Sequence, residues 1–310
     1  MSEVVEPVSA RGLLKRYGDL VAVDHVDLTV ERGDVFGYLG PNGAGKTTSL
    51  RMLLGLIRPT AGSVELFGRN PLEDGARALD GVAGFVEAPR FYPYLSGRRN
   101  LRLLADYDEP RTRGMIEEVL ETVELRDRGD DRVGGYSHGM KQRLGIAASL
   151  LRSPRLLLLD EPTTGLDPAG MRDMRELVRR LSGEGITVLL SSHLLAEVEE
   201  LCNRVAIIRR GKIVYEGELS ELKARAGSSW RLRPTNVDRA RTIALTVGVS
   251  DLSSADGELR FAASEETVAA LTIALGQAHI GITALRTEAA SLEELFLDLT
   301  ETDAPVEVAA

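Results

Sequence analysis

The chain has 310 residues, 43% of them apolar and 27% charged, which suits one large globular unit with a smaller one beside it, or two of moderate size. Its formal charge of −9 argues against a surface that tracks nucleic acid, while leaving room for a local positive field around a small anion. The single cysteine, Cys202, excludes an internal disulfide and a thiolate metal cluster, and no apolar run approaches the ~20 residues of a membrane span.

Residues 1–11 carry Glu3 and Glu6 with no apolar core, and do not read as a secretory signal. Residues 35–39 form an apolar run of the kind buried on both faces of a parallel sheet. Gly40-Pro41-Asn42-Gly43-Ala44-Gly45-Lys46-Thr47 follows with the spacing G-x-x-x-x-G-K-[ST], and Thr48 continues it into a helix. The glycines let backbone N–H groups turn inward around phosphate oxygens, and the helix adds its positive end. Lys46 is then expected on the β and γ phosphates, and the Thr47 hydroxyl on Mg²⁺. Leu50, Leu53, Leu54 and Ile57 continue at the spacing of one helix face.

A second apolar run, 82–86, ends before Glu87, and residues 88–153 read as a mostly helical insertion whose stretch 106–131 is strongly charged. Within it Met140, Leu144, Ala147, Ala148 and Leu151 repeat the helical spacing. Residues 156–159 form a buried strand that delivers Asp160 and Glu161 at its end. Asp160 suits the water shell of Mg²⁺ beside the phosphate loop, and Glu161 suits the polarising of a water that attacks the γ-phosphate. The run 187–190 leads to Ser191-Ser192-His193 on the same side, and Cys202 is expected as a buried thiol on a helix beside Leu201. Strand alternating with helix predicts an α/β fold, with its ligand beyond the carboxyl ends of the strands.

Near Gly217 the pattern changes. A short linking helix is expected at 219–226 and a hinge at Gly227-Ser228-Ser229. Strand candidates at 230–233, 258–261 and 282–286 flank helical patterns at 237–245 and 265–277, giving a small α+β domain over 228–302. Residues 303–310 read as a frayed tail.

The segment Tyr136-Ser137-His138-Gly139-Met140-Lys141-Gln142-Arg143 resembles the signature of the ATP-binding cassette (ABC) family, usually L-S-G-G-Q, and lies just before the strand bearing Asp160 as it does there. The resemblance covers residues 8–222. It implies a P-loop ATPase core with a parallel sheet, an antiparallel β subdomain and a helical insertion. Ser137 and Gly139 are implied to face ATP held by a second copy in a head-to-tail pair, and Asp167 of Gly165-Leu166-Asp167 to contact that copy. His193 is implied on the γ-phosphate. Tyr17, before the first strand pair, is implied on the adenine, a plain surface tyrosine being the rival reading. Where the family carries a metal-ligating Gln that reports to the membrane subunit, this chain has Glu87, implied to reach the metal through its own carboxylate oxygen while bringing an extra negative charge near the triphosphate. His138 and Met140 also depart from the family signature.

The run from Glu87 to Leu95 resembles ATPase subunits of bacitracin-resistance exporters, and residues 291–300 resemble the end of daunorubicin-type subunits. This implies an ABC-2-type efflux ATPase using ATP and Mg²⁺ and driving a separate integral membrane permease from the cytoplasmic face. Phe91, Tyr92 and Tyr94 are expected as an exposed contact for that permease, with core packing as the alternative. The other functional classes are an importer ATPase and a soluble ABC ATPase acting on ribosomes or DNA. The acidic balance, the single phosphate loop and the lack of heptads speak against nucleic acid.

Overall fold

An antiparallel hairpin, β1 (Val8–Tyr17) and β2 (Leu20–Val30), opens the computed structural model and closes with Tyr17 opposite Leu20. Tyr17 therefore ends the first strand, rather than preceding the strand pair. The structure describes residues 5–107, 110–225 and 228–289, together with Leu292, Phe296 and Leu299. Gly227 of the expected hinge, most of the run 291–300 and the tail 303–310 lie outside them. The chain forms two compact units, one up to Glu218 and one from Leu219.

In the first unit β3 (Val35–Leu39) leads through the Gly-rich loop into α1 (Lys46–Leu53), and β4 (Ala61–Leu66) returns to pair with β1 in a three-stranded antiparallel sheet, β2-β1-β4. The helix α1 stops before Ile57. The Leu56 N–H bonds to the Arg51 carbonyl and the Gly55 N–H to that of Met52, with Gly55 at φ 68°, which is the Schellman closure. Leu54 and Ile57 still pack against the same core from outside the helix.

β5 (Val82–Phe85) precedes the helical segment, made of α2 (Gly97–Ala105), α3 (Pro110–Gly114), α4 (Ile116–Thr122) and α5 (His138–Leu150). Then β6 (Leu156–Asp160), α6 (Pro168–Gly183), β7 (Thr187–Ser192), α7 (Leu195–Leu201), β8 (Arg204–Arg209) and β9 (Lys212–Glu218) complete the unit. The central sheet has the order β5-β6-β7-β3-β8-β9 and is parallel except for β9. Every residue of β3, β6 and β7 is buried, as continuous apolar runs between two layers require. Leu156 to Leu159 are wholly inaccessible, each contributing about 1.5–3 kcal/mol of burial. Because the strands run parallel, their carboxyl ends carry the Gly-rich loop, Asp160 and Ser192 to one edge.

Cys202 is buried as expected, but it lies just past α7 in an extended conformation rather than on a helix. Its sulfur packs beside Gly37 of β3. Of the three aromatics after Glu87, Tyr92 and Tyr94 are 55% and 65% exposed, whereas Phe91 is half-buried.

The second unit begins with α8 (Leu219–Arg225) and continues as β10 (Ser228–Pro234), α9 (Val237–Val247), β11 (Ser250–Ala255), β12 (Glu258–Ala262), α10 (Glu265–Gln277) and β13 (Ile282–Ala289). Its antiparallel sheet has the order β11-β12-β10-β13, the βαββαβ arrangement. α9 and α10, capped by Asn236 and Ser264, bury Ala240, Ala244, Leu271 and Leu275 with Leu232, Leu259 and Phe261. The strand β11 has no counterpart in the sequence reading. Its run Ser250-Asp251-Leu252-Ser253-Ser254-Ala255 has one large apolar residue, and pairing with β12 rather than alternation makes it a strand.

Candidate nucleotide site

The loop after β3 wraps the Lys46 side chain. Lys46 is 5% exposed, and its ammonium donates to the carbonyls of Gly40 (2.7 Å) and Pro41 (3.1 Å) and lies 3.3 Å from Glu161 Oε1. The N-cap of α1 is Gly45, which offers no side chain, so the first turn keeps its N–H groups for an anion. One residue on, the Thr47 hydroxyl donates to Asp160 Oδ2 at 2.9 Å.

Asp160 is nearly buried at the end of β6, and Ser191 of the neighbouring β7 donates to its Oδ1 at 2.5 Å. The Thr47 hydroxyl and the Asp160 carboxylate thus form a pair of hard oxygen donors at an open edge, a set that fits a divalent cation retaining much of its water.

Glu161 follows in the left-handed region, at φ 47°. Such a conformation costs about 1–3 kcal/mol and persists only where neighbours impose it. Here the Glu161 N–H is held by the Ser191 carbonyl (3.2 Å) and hydroxyl (3.0 Å). The twist aims the carboxylate at three partners. The Thr164 hydroxyl donates to Oε2 at 2.8 Å, His193 Nδ1 lies 3.0 Å from the same oxygen, and Lys46 lies beside Oε1. Burial alone would raise the Glu161 carboxyl, but Thr164, Lys46 and His193 outweigh it and hold it below the ordinary carboxylate value. Glu161 is therefore ionised at neutral pH and available to accept a proton.

Glu87 meets this cluster through its backbone. Its N–H reaches Asp160 Oδ2 at 3.4 Å, while its carboxylate is turned onto Arg51 Nη2 at 2.5 Å. Tyr17, 49% exposed, lines a cleft of about 530 Å³ with Asn42, Gly43, Lys46, Thr47 and Thr48. Ser137, Gly139 and Asp167 are elsewhere. Ser137 caps α5 by accepting the Met140 N–H (3.2 Å), and Asp167 caps α6 by accepting the Gly170 N–H (2.8 Å). Both line a separate depression with Gly139, His138 and Gly165.

The chain thus brings Lys46, Thr47, Asp160, Glu161 and His193 into contact and leaves Ser137, Gly139 and Asp167 apart. Thr164 and Arg51 escape the sequence reading, as does the role of the Ser191 hydroxyl. Ser191 sits inside a motif read for His193, Thr164 falls between Glu161 and the Gly165-Leu166-Asp167 motif, and Arg51 lies between the apolar positions read for α1.

The ABC transporter family model matches residues 23–164. Over 219 residues the chain is 47% identical to a bacitracin transport ATP-binding protein of Bacillus licheniformis, covering 70% of this chain and 72% of that protein. It is 38% identical over 313 residues to a daunorubicin resistance ATP-binding protein of Streptomyces coeruleorubidus, covering 98% of each. A solved ATP-binding subunit of an ABC transporter superposes with a TM-score of 0.63 at 28% identity, over 70% of this chain and 92% of that one.

Proposed function

The chain belongs to the ABC transporter ATP-binding family, and from that premise we propose that it is the ATP-hydrolysing subunit of a drug or antibiotic exporter, driving a separate membrane permease. Support for export comes from relatives named for bacitracin transport and daunorubicin resistance, the latter along nearly its whole length. Among the described residues no helix is long and apolar enough to cross a membrane, so transport requires a partner that does.

The observation that carries the hydrolytic reading is a pair of adjoining contact sets, Thr47 with Asp160 and Lys46 and His193 with Glu161, joined through the Ser191 hydroxyl. Lys46 exchanges its carbonyl partners for phosphate oxygens when ATP enters, and the first turn of α1 supplies N–H groups to the same oxygens. Tyr17, which lines the same cleft, offers a ring to the adenine. A magnesium ion on the oxygens of Thr47 and Asp160 would neutralise charge on the β and γ phosphates. Glu161, already ionised, accepts a proton from the water that attacks the γ-phosphorus as the bond to the ADP oxygen breaks. His193 and Thr164 hold the Oε2 atom of Glu161 and Lys46 faces Oε1, so the carboxylate keeps its aim at φ 47°.

Ser137, Gly139 and Asp167 lie away from this cleft, and they fit a head-to-tail pairing in which one copy closes the nucleotide of the other. Replacing Glu161→Gln removes the proton acceptor and keeps the shape. ATP binding should persist, turnover should fall at least a hundredfold, and an ATP-bound dimer should accumulate on size-exclusion chromatography. Turnover at the unmodified rate would place the base elsewhere.

A further inference from the structure

We propose that Arg51 is a positioning residue of the nucleotide site, forming with Glu87 a charge-compensated unit where a neutral amide would otherwise stand. The proposal rests on the reading above that this cleft holds ATP. Arg51 lies one helical turn beyond Thr47, so the two residues share a face of α1. Thr47 reaches Asp160 Oδ2, and Arg51 reaches Glu87 at 2.5 Å. Glu87 also touches the acidic cluster itself, because its own N–H points to Asp160 Oδ2. Its backbone adopts φ 68°, so the loop is turned at the residue where both contacts are made.

The charges explain why the pair matters. Asp160, Glu161 and Glu87 bring three carboxylates to the edge where a polyanion must bind. Glu161 has Lys46 as its counterion, and Asp160 accepts only neutral donors among its hydrogen bonds. Glu87 has Arg51. Without Arg51 the site would present one more uncompensated negative charge to ATP.

A structural role explains the pair poorly. The two side chains are 37% and 59% exposed, and ion pairs so open contribute about 0–1 kcal/mol to folding. Near a bound triphosphate the same charges act on a ligand of high charge across the Asp160 edge that the Glu87 N–H touches, where a unit charge is worth about fivefold in affinity.

The test uses the full chain and the fluorescent analogue trinitrophenyl-ATP, titrated in EDTA and in excess Mg²⁺. The readout is the ratio of the metal-free to the metal-loaded dissociation constant. Arg51→Gln exposes the Glu87 carboxylate and should raise that ratio about fivefold, chiefly by weakening metal-free binding. Glu87→Gln leaves Arg51 unmatched and should lower it by a similar factor. The double variant should return within about twofold of the unmodified chain, and Arg51→Lys should behave as the unmodified chain does. Melting temperatures of all four should agree within about 2 °C. Equal ratios for Arg51→Gln and the unmodified chain would overturn the proposal, as would shifts of one sign for both single variants or a binding loss that follows the melting temperature. If the unmodified chain binds no analogue under either condition, the ATP reading itself falls; binding without a shift removes the Arg51 pairing alone.

Discussion

Glu197 is 1% exposed, and burial pushes its carboxyl above the ordinary value despite the Ser192 hydroxyl at 2.5 Å. Its Oε1 has no hydrogen-bond partner among the described residues. A carboxyl raised on folding takes up a proton, so the penalty is absent below the ordinary carboxylate range and complete above the folded value. Glu197→Gln should therefore stabilise the protein by about 1 kcal/mol at pH 8, a few degrees of melting temperature, and by almost nothing near pH 4. A melt at both pH values checks this, and an equal shift at the two would contradict it. At this scale the sequence is informative where one backbone shape serves one chemistry: Lys46 and Thr47 follow from the loop, and Asp160 and Glu161 from the end of a buried run. Arg51 is silent because its partner lies 36 residues away in a loop without periodicity.

Elements read well when burial alone forms them. β3, β6 and β7 are continuous apolar runs and appear where expected, as do α9 and α10. Features made by a neighbour are harder, which is why β11 and the Schellman end of α1 emerge only in three dimensions. The segment carrying Glu87 is held by such a neighbour. Pro89 lies against α5 at Gly145, where a Cβ would meet the proline ring at 2.3 Å. Gly145→Val must move either the helix or the segment, and overpacking of this kind costs about 1–3 kcal/mol. A drop of several degrees in melting temperature is expected, together with a weakened response of nucleotide affinity to Mg²⁺. An unchanged melt would mean that the segment yields freely.

At the level of the molecule, all the proposed chemistry falls within the unit ending at Glu218, and the second unit encloses a core of its own. Tyr92 and Tyr94 stand on a loop fixed by the buried Asn100, whose side chain accepts from the Tyr92 N–H (2.9 Å) and donates to the Tyr92 and Ser96 carbonyls. Their rings pack at 5.8 Å between centroids, so a pre-formed aromatic pair faces solvent. Phe91 instead lines an adjoining groove with Pro89, Val86 and Gly145. If this surface receives the permease, replacing Phe91, Tyr92 and Tyr94 with Ala should lower transport at least tenfold while leaving ATP hydrolysis by the isolated chain within about twofold. Vesicles reconstituted with the permease would show it, and undiminished efflux would exclude the contact. The sequence placed aromatics here; which of them face outward depends on how the loop is pinned.

Cys202, the sole thiol of the chain, packs beside Gly37 below the central sheet, and burial pushes its pKa well above the range of reactive cysteines. The protein therefore carries almost no native background for maleimide chemistry. A cysteine introduced at exposed Leu20, at the rim of the nucleotide cleft, or at Tyr94 would take a spin label or fluorophore alone. With labels at both positions, any movement of this edge on ATP binding becomes measurable as a distance between them, with the natural thiol left in place.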